Sequence, residues 1–117
     1  MSAVPRLRRR PEFLRVAATR RKWVAPGLIV QIRNRPPGEA DTDDVRVGFT
    51  VSRKVGNAVQ RNRARRRLKA AAQEVMTEHG SQGFDLVIIG RKNTLTRPYS
   101  ALIGDLTTAL KKLDAYR

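Results

Sequence analysis

RVGFTVSRKVGNAVQRNRARRRLK, residues 46–69, contains a strand, a turn and the beginning of a helix. The apolar side chains of Val47, Phe49 and Val51 alternate with their neighbours, which predicts a strand with those three residues on one face. A turn follows, and Asn57 is a suitable N-cap for a helix that we expect to continue to about His79. The other elements can be placed around this strand and this helix.

The predicted helix has one apolar face and one cationic face. At about 100° per residue, the apolar residues fall in one narrow arc, which we expect to face a sheet. These residues are Ala64, Leu68, Ala71 and Val75. The opposite side holds Asn62, Arg65, Arg66, Lys69 and Gln73, while Arg61, Arg63 and Arg67 flank the apolar arc. Like charges four residues apart destabilise a helix, so this face predicts a partner that supplies negative charge. Arginine predominates, which favours forked contacts with phosphate.

The flanking sequence predicts a single α+β domain over residues 1–117. We expect a helix from Pro11 to about Lys22, strands at 23–25, 28–32 and 84–90, and a last helix from about Pro98. The order is about αβββαβα, a small sheet with helices packed on it as a two-layer α/β sandwich. Residues 1–10 are expected to form a flexible basic arm, and residues 34–44 a polar loop.

The positive charge of the chain is concentrated in two segments. The chain has 25 Lys and Arg residues against 10 acids, a net charge of +15. Residues 1–22 contain eight basic residues and one acid, and residues 53–69 contain eight basic residues and no acid, so these segments hold the whole excess. Such concentration indicates a polyanion footprint. Neither segment has the Trp, Phe and Leu face of a membrane-binding helix.

Several functional classes are disfavoured by what the sequence contains. There is no cysteine, which excludes disulfides and thiolate metal sites. No segment is apolar enough to span a membrane, so a cytoplasmic protein is expected. The acids Glu39, Asp41, Asp43 and Asp44 lie in the polar loop, and we expect His79 to cap a helix. We therefore expect no catalytic residue, no metal site and no small-molecule substrate in the protein itself.

The run from Arg46 to Arg63, continuing through Arg66 and Lys69, resembles the signature of the bacterial ribonuclease P protein subunit. In that family a Gly-Asn-Ala-Val turn leads into an Arg-Asn-Arg helix. Weaker agreement covers nearly the whole chain and includes Phe13 and the Gly90-Arg91-Lys92 run. The resemblance implies an α/β sandwich with a left-handed βαβ crossover, against the usual handedness of such connections.

The resemblance also implies a function as the protein component of an endoribonuclease. In this family a catalytic RNA, which binds magnesium and provides the active site, removes the 5′ leader from precursor tRNA. By position, the residues that would contact the catalytic RNA are Arg61, Asn62, Arg63, Arg65, Arg66 and Lys69, with Arg53 and Lys54 extending that surface. The leader cleft would be lined by Phe13, Arg91 and Lys92. Ala17 and Gln31 stand where relatives often have aromatic residues, so the expected cleft is less aromatic here.

Three other functions fit parts of the sequence. A different structural RNA-binding protein, such as a ribosomal component or an RNA chaperone, would have the same charge and size. A DNA-binding regulator would need base-reading residues on the cationic helix and a preceding helix at helix-turn-helix spacing. A self-sufficient ribonuclease would need catalytic groups. The signature over residues 56–63 favours the ribonuclease P subunit.

Overall fold

The computed structural model describes residues 4–39 and 44–117. Its elements are α1 (Arg10–Ala18), β1 (Lys22–Val24), β2 (Leu28–Asn34), β3 (Arg46–Thr50), α2 (Ala58–His79), β4 (Phe84–Gly90) and α3 (Tyr99–Lys112). The order αβββαβα is therefore as expected. A short 3-10 helix over Lys92–Leu95, between β4 and α3, was not predicted.

The four strands form one mixed sheet in the order β1-β2-β4-β3. β2 is antiparallel to both of its neighbours, whereas β3 and β4 are parallel and are joined through α2 as a βαβ unit. β4 is interior to the sheet, and its almost continuous apolar sequence is what a strand covered on both faces requires. None of the described helices is long and apolar enough to cross a membrane.

The main core lies between the sheet and the pair α2 and α3. Alternate residues of each strand point to the same face of a sheet. The fully buried side chains on this face of β2 and β4 are Leu28, Val30, Ile32, Leu86 and Ile88. They pack against Leu68 of α2 and against Leu102, Leu106 and Leu110 of α3. This arrangement is the expected α/β sandwich.

α1 packs on the opposite face of the sheet. Val16 is completely buried and clusters with Val87 of β4 and with Leu7, which precedes the helix. Phe13 is half-buried at the edge of this cluster and lies over Gly48 of β3. The sheet is therefore covered by α2 and α3 on one face and by α1 on the other.

The segment before α1 is docked on the sheet. The backbone N–H of Val47 donates to the carbonyl of Pro5 (2.9 Å), and that of Leu7 donates to the carbonyl of Val47 (3.1 Å). Leu7 is only 3% exposed. The expectation of a flexible arm is therefore wrong for residues 4–9, because the open edge of β3 offers hydrogen bonds and a place for Leu7. Residues 1–3 of the expected arm lie outside the described residues.

α1 ends at Ala18, four residues before the expected end. The hydroxyl of Thr19 donates to the carbonyl of Val16 (2.8 Å) at the end of the helix. Arg20 then has a φ of 56°, in the left-handed region, which turns the chain toward β1. Lys22, predicted to be the last helical residue, is instead the first residue of β1.

A buried carboxylate, Asp85, fixes the end of β4 that lies under the N-terminal end of α1. It is 1% exposed and accepts hydrogen bonds from Arg35 (2.7 Å) and from Nε and Nη2 of Arg46 (2.8 Å each). Arg33 lies 3.9 Å from the same carboxylate and makes a forked pair with Glu39 at 2.6 and 2.7 Å. Each of these charges therefore has an opposite charge close by within the fold.

Glu12 connects this cluster to α1. Its carboxylate accepts from the backbone N–H groups of Arg9 (2.8 Å) and Arg8 (3.1 Å) and lies 3.2 Å from Nη1 of Arg46. The pKa of Glu12 is lowered, chiefly by the Arg9 hydrogen bond. A lowered pKa in the folded state contributes stability above the unfolded-state pKa, and this contribution is lost as the pH falls.

Replacing Asp85 with Asn should destabilise the fold by about 3 kcal/mol, because two arginines would lose their buried counter-charge. The matched control is Glu74→Gln, which neutralises an exposed acid on α2. Urea unfolding followed by circular dichroism measures both variants. Equal midpoints for Asp85→Asn and the wild type would show that the buried carboxylate is not needed.

Replacing Gly48 with Ala should destabilise the protein by about 1–3 kcal/mol through overpacking. A Cβ at this position would lie 2.5 Å from Cε1 of Phe13 and 3.1 Å from Cβ of Leu7. Gly104→Ala is the matched control, since a methyl group there would meet nothing within 4 Å and the helix interior favours Ala. Thermal unfolding should therefore show opposite signs for the two variants, and equal effects would contradict the close packing of Phe13 on Gly48.

Candidate RNA interface

The orientation of α2 is set by its apolar stripe. Its buried residues are Ala64, Leu68, Ala71, Ala72, Val75 and Met76, which include all four that the sequence placed toward the sheet. Because this stripe is held against the core, the opposite side of the helix is turned to solvent. Asn62, Arg66 and Lys69 are exposed there, and Arg63 is exposed on the flank of the helix. We call residues 61–69 of this outer side the α2 cationic face.

The beginning of α2 is fixed by a capping box, as Asn57 predicted. The side chain of Asn57 accepts from the backbone N–H of Gln60 (2.9 Å), and the Gln60 side chain accepts from the backbone N–H of Asn57 (2.8 Å). Two of the free donors at the helix start are satisfied in this way. The loop that carries Arg53 and Lys54 therefore joins a well-defined helix end.

The arginine side chains of α2 fall into two groups, those that hydrogen-bond to the protein and those that do not. Arg61 donates to the carbonyl of Gly56 (2.9 Å), and Arg65 donates to the side chain of Asn62 (3.2 Å). Arg67 donates to the carbonyls of Thr94 and Arg97, so it holds α2 against the 3-10 helix. Within residues 4–39 and 44–117, no hydrogen bond or ion pair is made by the side chains of Arg53, Lys54, Arg63, Arg66 and Lys69.

The acids that form ion pairs with arginine in the described chain lie elsewhere. Glu12, Glu39 and Asp85 pair with Arg33, Arg35 and Arg46 below α1. Asp105 of α3 is held by Arg97 at 2.6 Å and by the backbone N–H of Gly27 at 2.9 Å. In the part of the chain with described coordinates, no ion pair reaches residues 53–69, so the positive charge of that segment is left without a counter-charge from the protein.

Arg91 and Lys92 have different surroundings. Arg91 is half-buried and donates from Nη1 to the carbonyl of Ala25 (2.7 Å), which ties the end of β4 to the turn before β2. Lys92 is exposed at the start of the 3-10 helix. Both follow the C-terminal end of β4, at the same sheet edge as the loop after β3. The structure thus brings them to the edge where Arg53 and Lys54 lie.

The α1 side of the sheet has a mainly apolar row of residues that α1 leaves partly exposed. Strand register places Val24, Ile29, Ile89 and Thr50 side by side across β1, β2, β4 and β3. Val24 is 50% exposed, and Ile29 and Ile89 are half-buried. We call these four residues the sheet strip. It lies between α1 and the sheet edge that carries Arg91 and Lys92.

Phe13 forms one wall of the space beside the sheet strip. A groove of about 410 Å³ is lined by Thr50 of β3, by Arg8 before α1, by Arg10 and Phe13 of α1, and by Arg65 of α2. The groove therefore connects the sheet strip to the α2 cationic face. Ala17 and Gln31 line a smaller recess at the other end of α1, together with Arg20, Arg21 and Lys22.

Sequence reasoning did not single out several residues of this surface. Arg8 and Arg10 were part of the predicted flexible arm, although their charge was noted. Val24, Ile29 and Ile89 were assigned to strands without a functional role, because only the register between strands shows that they form one row. Their alternation with core residues was the signal available in the sequence.

No cluster of metal-binding side chains is found within the described part of the chain. No group of three or more His, Cys, Asp or Glu side chains there is placed to hold a metal ion. Of the loop acids, Glu39 pairs with Arg33, while Asp41 and Asp43 lie outside the described residues. His79 is the last residue of α2 and stacks on Tyr116 with ring centroids 4.6 Å apart.

Comparison with known proteins gives a consistent result. The ribonuclease P family model matches residues 1–114. The chain is 58% identical to the ribonuclease P protein component of Paramagnetospirillum magneticum over 110 residues, which cover 94% of this chain and 83% of the relative. It is 50% identical to that of Gluconacetobacter diazotrophicus, covering 92% of this chain and 89% of the relative.

Solved structures share the fold. The RNase P protein of Thermotoga maritima has a TM-score of 0.74 at 26% identity, covering 92% of this chain and 96% of that one. The RNase P protein of Staphylococcus aureus has a TM-score of 0.77 at 23% identity, covering 99% of this chain and 100% of that one, which shows the fold alone. The chain therefore belongs to the ribonuclease P protein family and is the protein subunit of that tRNA-processing endoribonuclease.

Proposed function

We propose that the α2 cationic face binds the catalytic RNA of ribonuclease P, and that the cleft between α1 and the sheet strip holds the 5′ leader of precursor tRNA. The observation that carries this proposal is a set of five exposed cations without a partner among the described residues: Arg53, Lys54, Arg63, Arg66 and Lys69. The compartment that we propose is the cytoplasm, where precursor tRNA is made.

The α2 cationic face has the chemistry that a folded RNA requires. Guanidinium groups make forked hydrogen bonds with phosphate oxygens, and each phosphate contact releases condensed counterions. A protein that neutralises closely spaced phosphates in this way reduces the amount of magnesium that the RNA needs to stay compact. Attachment of α2 to the core fixes the backbone positions of Arg63, Arg66 and Lys69, so the helix itself need not become ordered on binding.

The cleft beside α1 has the chemistry that an unpaired RNA strand requires. Its floor, Ile29 and Ile89, is apolar and partly exposed, and Phe13 presents an aromatic ring on which a base can stack. Lys92 offers a phosphate contact at the rim, and Arg91 contributes the donors that its bond to Ala25 leaves free. Because most of the floor is aliphatic, we expect the leader to be held with little dependence on its sequence.

Hydrolysis is expected from the RNA and its magnesium ions. A magnesium site needs carboxylates that are free to bind the ion, and the clustered carboxylates of the described residues are not free. Glu12, Glu39, Asp85 and Asp105 are each held by an arginine. The protein's part is therefore to bind and position RNA. No feature of the described residues favours the alternative of a ribosomal component or RNA chaperone.

Cleavage of precursor tRNA at low magnesium tests this proposal. The three reactions contain the protein alone, the catalytic RNA alone, and both. We expect cleavage at the mature 5′ end only in the mixture. Cleavage by the protein alone would contradict the assignment of the chemistry to RNA, and an unstimulated RNA reaction would contradict the proposed partnership.

Replacing Arg66 or Arg63 with Ala should weaken binding to the catalytic RNA by about 1–3 kcal/mol, because one charge-assisted phosphate contact is lost. Lys111→Ala is the control, since it removes one exposed cation from the far end of α3. Filter binding at fixed salt gives the affinities. If the α2 variants bind as tightly as Lys111→Ala, the α2 cationic face is not the interface.

Replacing Phe13 with Leu should reduce affinity for leader-bearing precursor tRNA by about fivefold or more, since base stacking is lost while an apolar side chain is kept. Affinity for mature tRNA should not change. Leu14→Ala, at a 53% exposed position of the same helix, serves as the control. The affinities are measured with the assembled holoenzyme, and an equal loss for precursor and mature tRNA would place Phe13 outside the leader cleft.

A further inference from the structure

A second recess lies on the α2 side of the sheet, beside the docked N-terminal segment. Arg6 forms a parallel bridge with Val47, which faces the core under α2. Side chains alternate along an extended segment, so Val4 and Arg8 point to the same side as Arg6. The recess has a volume of about 230 Å³. We call it the trough.

Three parts of the chain form the trough. Its floor is Val47 and Phe49 of β3, and one wall is the N-terminal segment. The other wall is α2, through Lys69, Ala72 and Gln73. The trough exists because the docked segment widens the sheet at the β3 edge beyond the width that α2 covers.

The trough is closed at one end and open at the other. At the closed end the backbone N–H of Val4 donates to the side-chain oxygen of Gln73 (3.2 Å). At the open end Arg8 and Phe49 also line the groove that contains Arg65. The trough is therefore continuous with the α2 cationic face and does not stand apart from it.

The lining combines an apolar floor with a cationic rim. Val47 is 1% exposed and Phe49 is half-buried. Arg6, Arg8 and Lys69 stand around the opening, and no acid is among the described lining residues. The guanidinium of Arg6 lies over the Phe49 ring, 5.3 Å from its centre, so an exposed guanidinium is backed by an aromatic plane. Such a pair is a stacking surface for a nucleobase.

We propose that the trough binds one unpaired nucleotide of the catalytic RNA, with its base beside Phe49 and Arg6 and its phosphates at Arg8 and Lys69. This inference rests on the proposed function of the α2 cationic face. The catalytic RNA is favoured over the leader because one wall of the trough is α2 and includes Lys69 of the α2 cationic face, whereas the sheet strip lies on the other face of the sheet. The narrow space between a helix and an extended segment admits a single base and not a base pair.

The first measurement is the affinity of the catalytic RNA for the Phe49→Leu variant over a series of salt concentrations. We expect binding to weaken about tenfold, since stacking is lost, with no change in salt dependence, since no charge is removed. Phe84→Leu is the matched control, because Phe84 is a half-buried aromatic residue at the opposite end of the sheet. It should bind as the wild type does.

The Arg6→Gln variant keeps the test decisive if Phe49→Leu is poorly folded. Arg6 is exposed, so its replacement should leave the fold intact, and we expect a larger loss of affinity than for Lys111→Gln, which removes an equal charge. Equal losses for these two variants would overturn the proposal.

Photo-cross-linking identifies the source of the nucleotide. Catalytic RNA and precursor tRNA, each carrying 4-thiouridine, are irradiated separately in the holoenzyme. We expect a cross-link from an unpaired position of the catalytic RNA to the β3 peptide, lost in Phe49→Leu. A cross-link from the precursor leader alone would overturn the assignment.

The binding measurements distinguish failure of the trough proposal from failure of the proposed function. Wild-type affinity of Phe49→Leu and Arg6→Gln, together with weakened binding by Arg66→Ala, would overturn the trough and leave the proposed function standing. Wild-type affinity of all three variants would overturn both.

Discussion

The packing of the apolar stripe of α2 on the sheet is the interaction on which the functional surface depends. Ala64, Leu68 and Ala71 are completely buried, so rotation of the helix about its axis would expose apolar surface and bury charge. Each buried leucine contributes about 1.5–3 kcal/mol, and burial of an unpaired arginine would cost several. The orientation of the cations is therefore a consequence of the core. No separate interaction is needed to hold Arg63 and Arg66 toward solvent.

The distribution of ion pairs explains how a chain with a net charge of +15 can fold and still present a polycation. Four arginines outside the two basic segments are matched with acids: Arg33, Arg35 and Arg46 below α1, and Arg97 against α3. These pairs hold the ends of strands and the turn before β2. Much of the remaining positive charge lies on one side of α2 and in the segment before α1. Residues of these two regions line the same groove. The same acids that stabilise the fold are thus kept away from the RNA-binding surface.

The sequence was most informative where structure depends on local spacing. The rotation of α2 and its Asn57 cap follow from residues within a few turns, and both were predicted. The docking of Leu7 was missed because it depends on the open edge of β3, which is distant in sequence. The sheet strip was missed for a similar reason, since Val24 and Ile89 become neighbours only through the register of β2 between them. Asp85 gave no signal of its ion pairs, because its partners come from a loop and another strand. The roles of the cleft residues rest on family resemblance, which the fold permits but does not test.

The central claim is that the α2 cationic face binds RNA through the cations that have no partner among the described residues. The salt dependence of binding measures this most directly. The equilibrium constant for the catalytic RNA is determined over a range of monovalent salt for the wild type and for a triple variant, Arg63→Gln, Arg66→Gln and Lys69→Gln. Each lost phosphate contact should reduce the slope of log K against log salt by about 0.7–0.9. We expect the slope of the triple variant to be shallower by about 2–3 units with the fold unchanged. Parallel lines for the two proteins would contradict the account, because they would show that these cations release no counterions when the RNA binds.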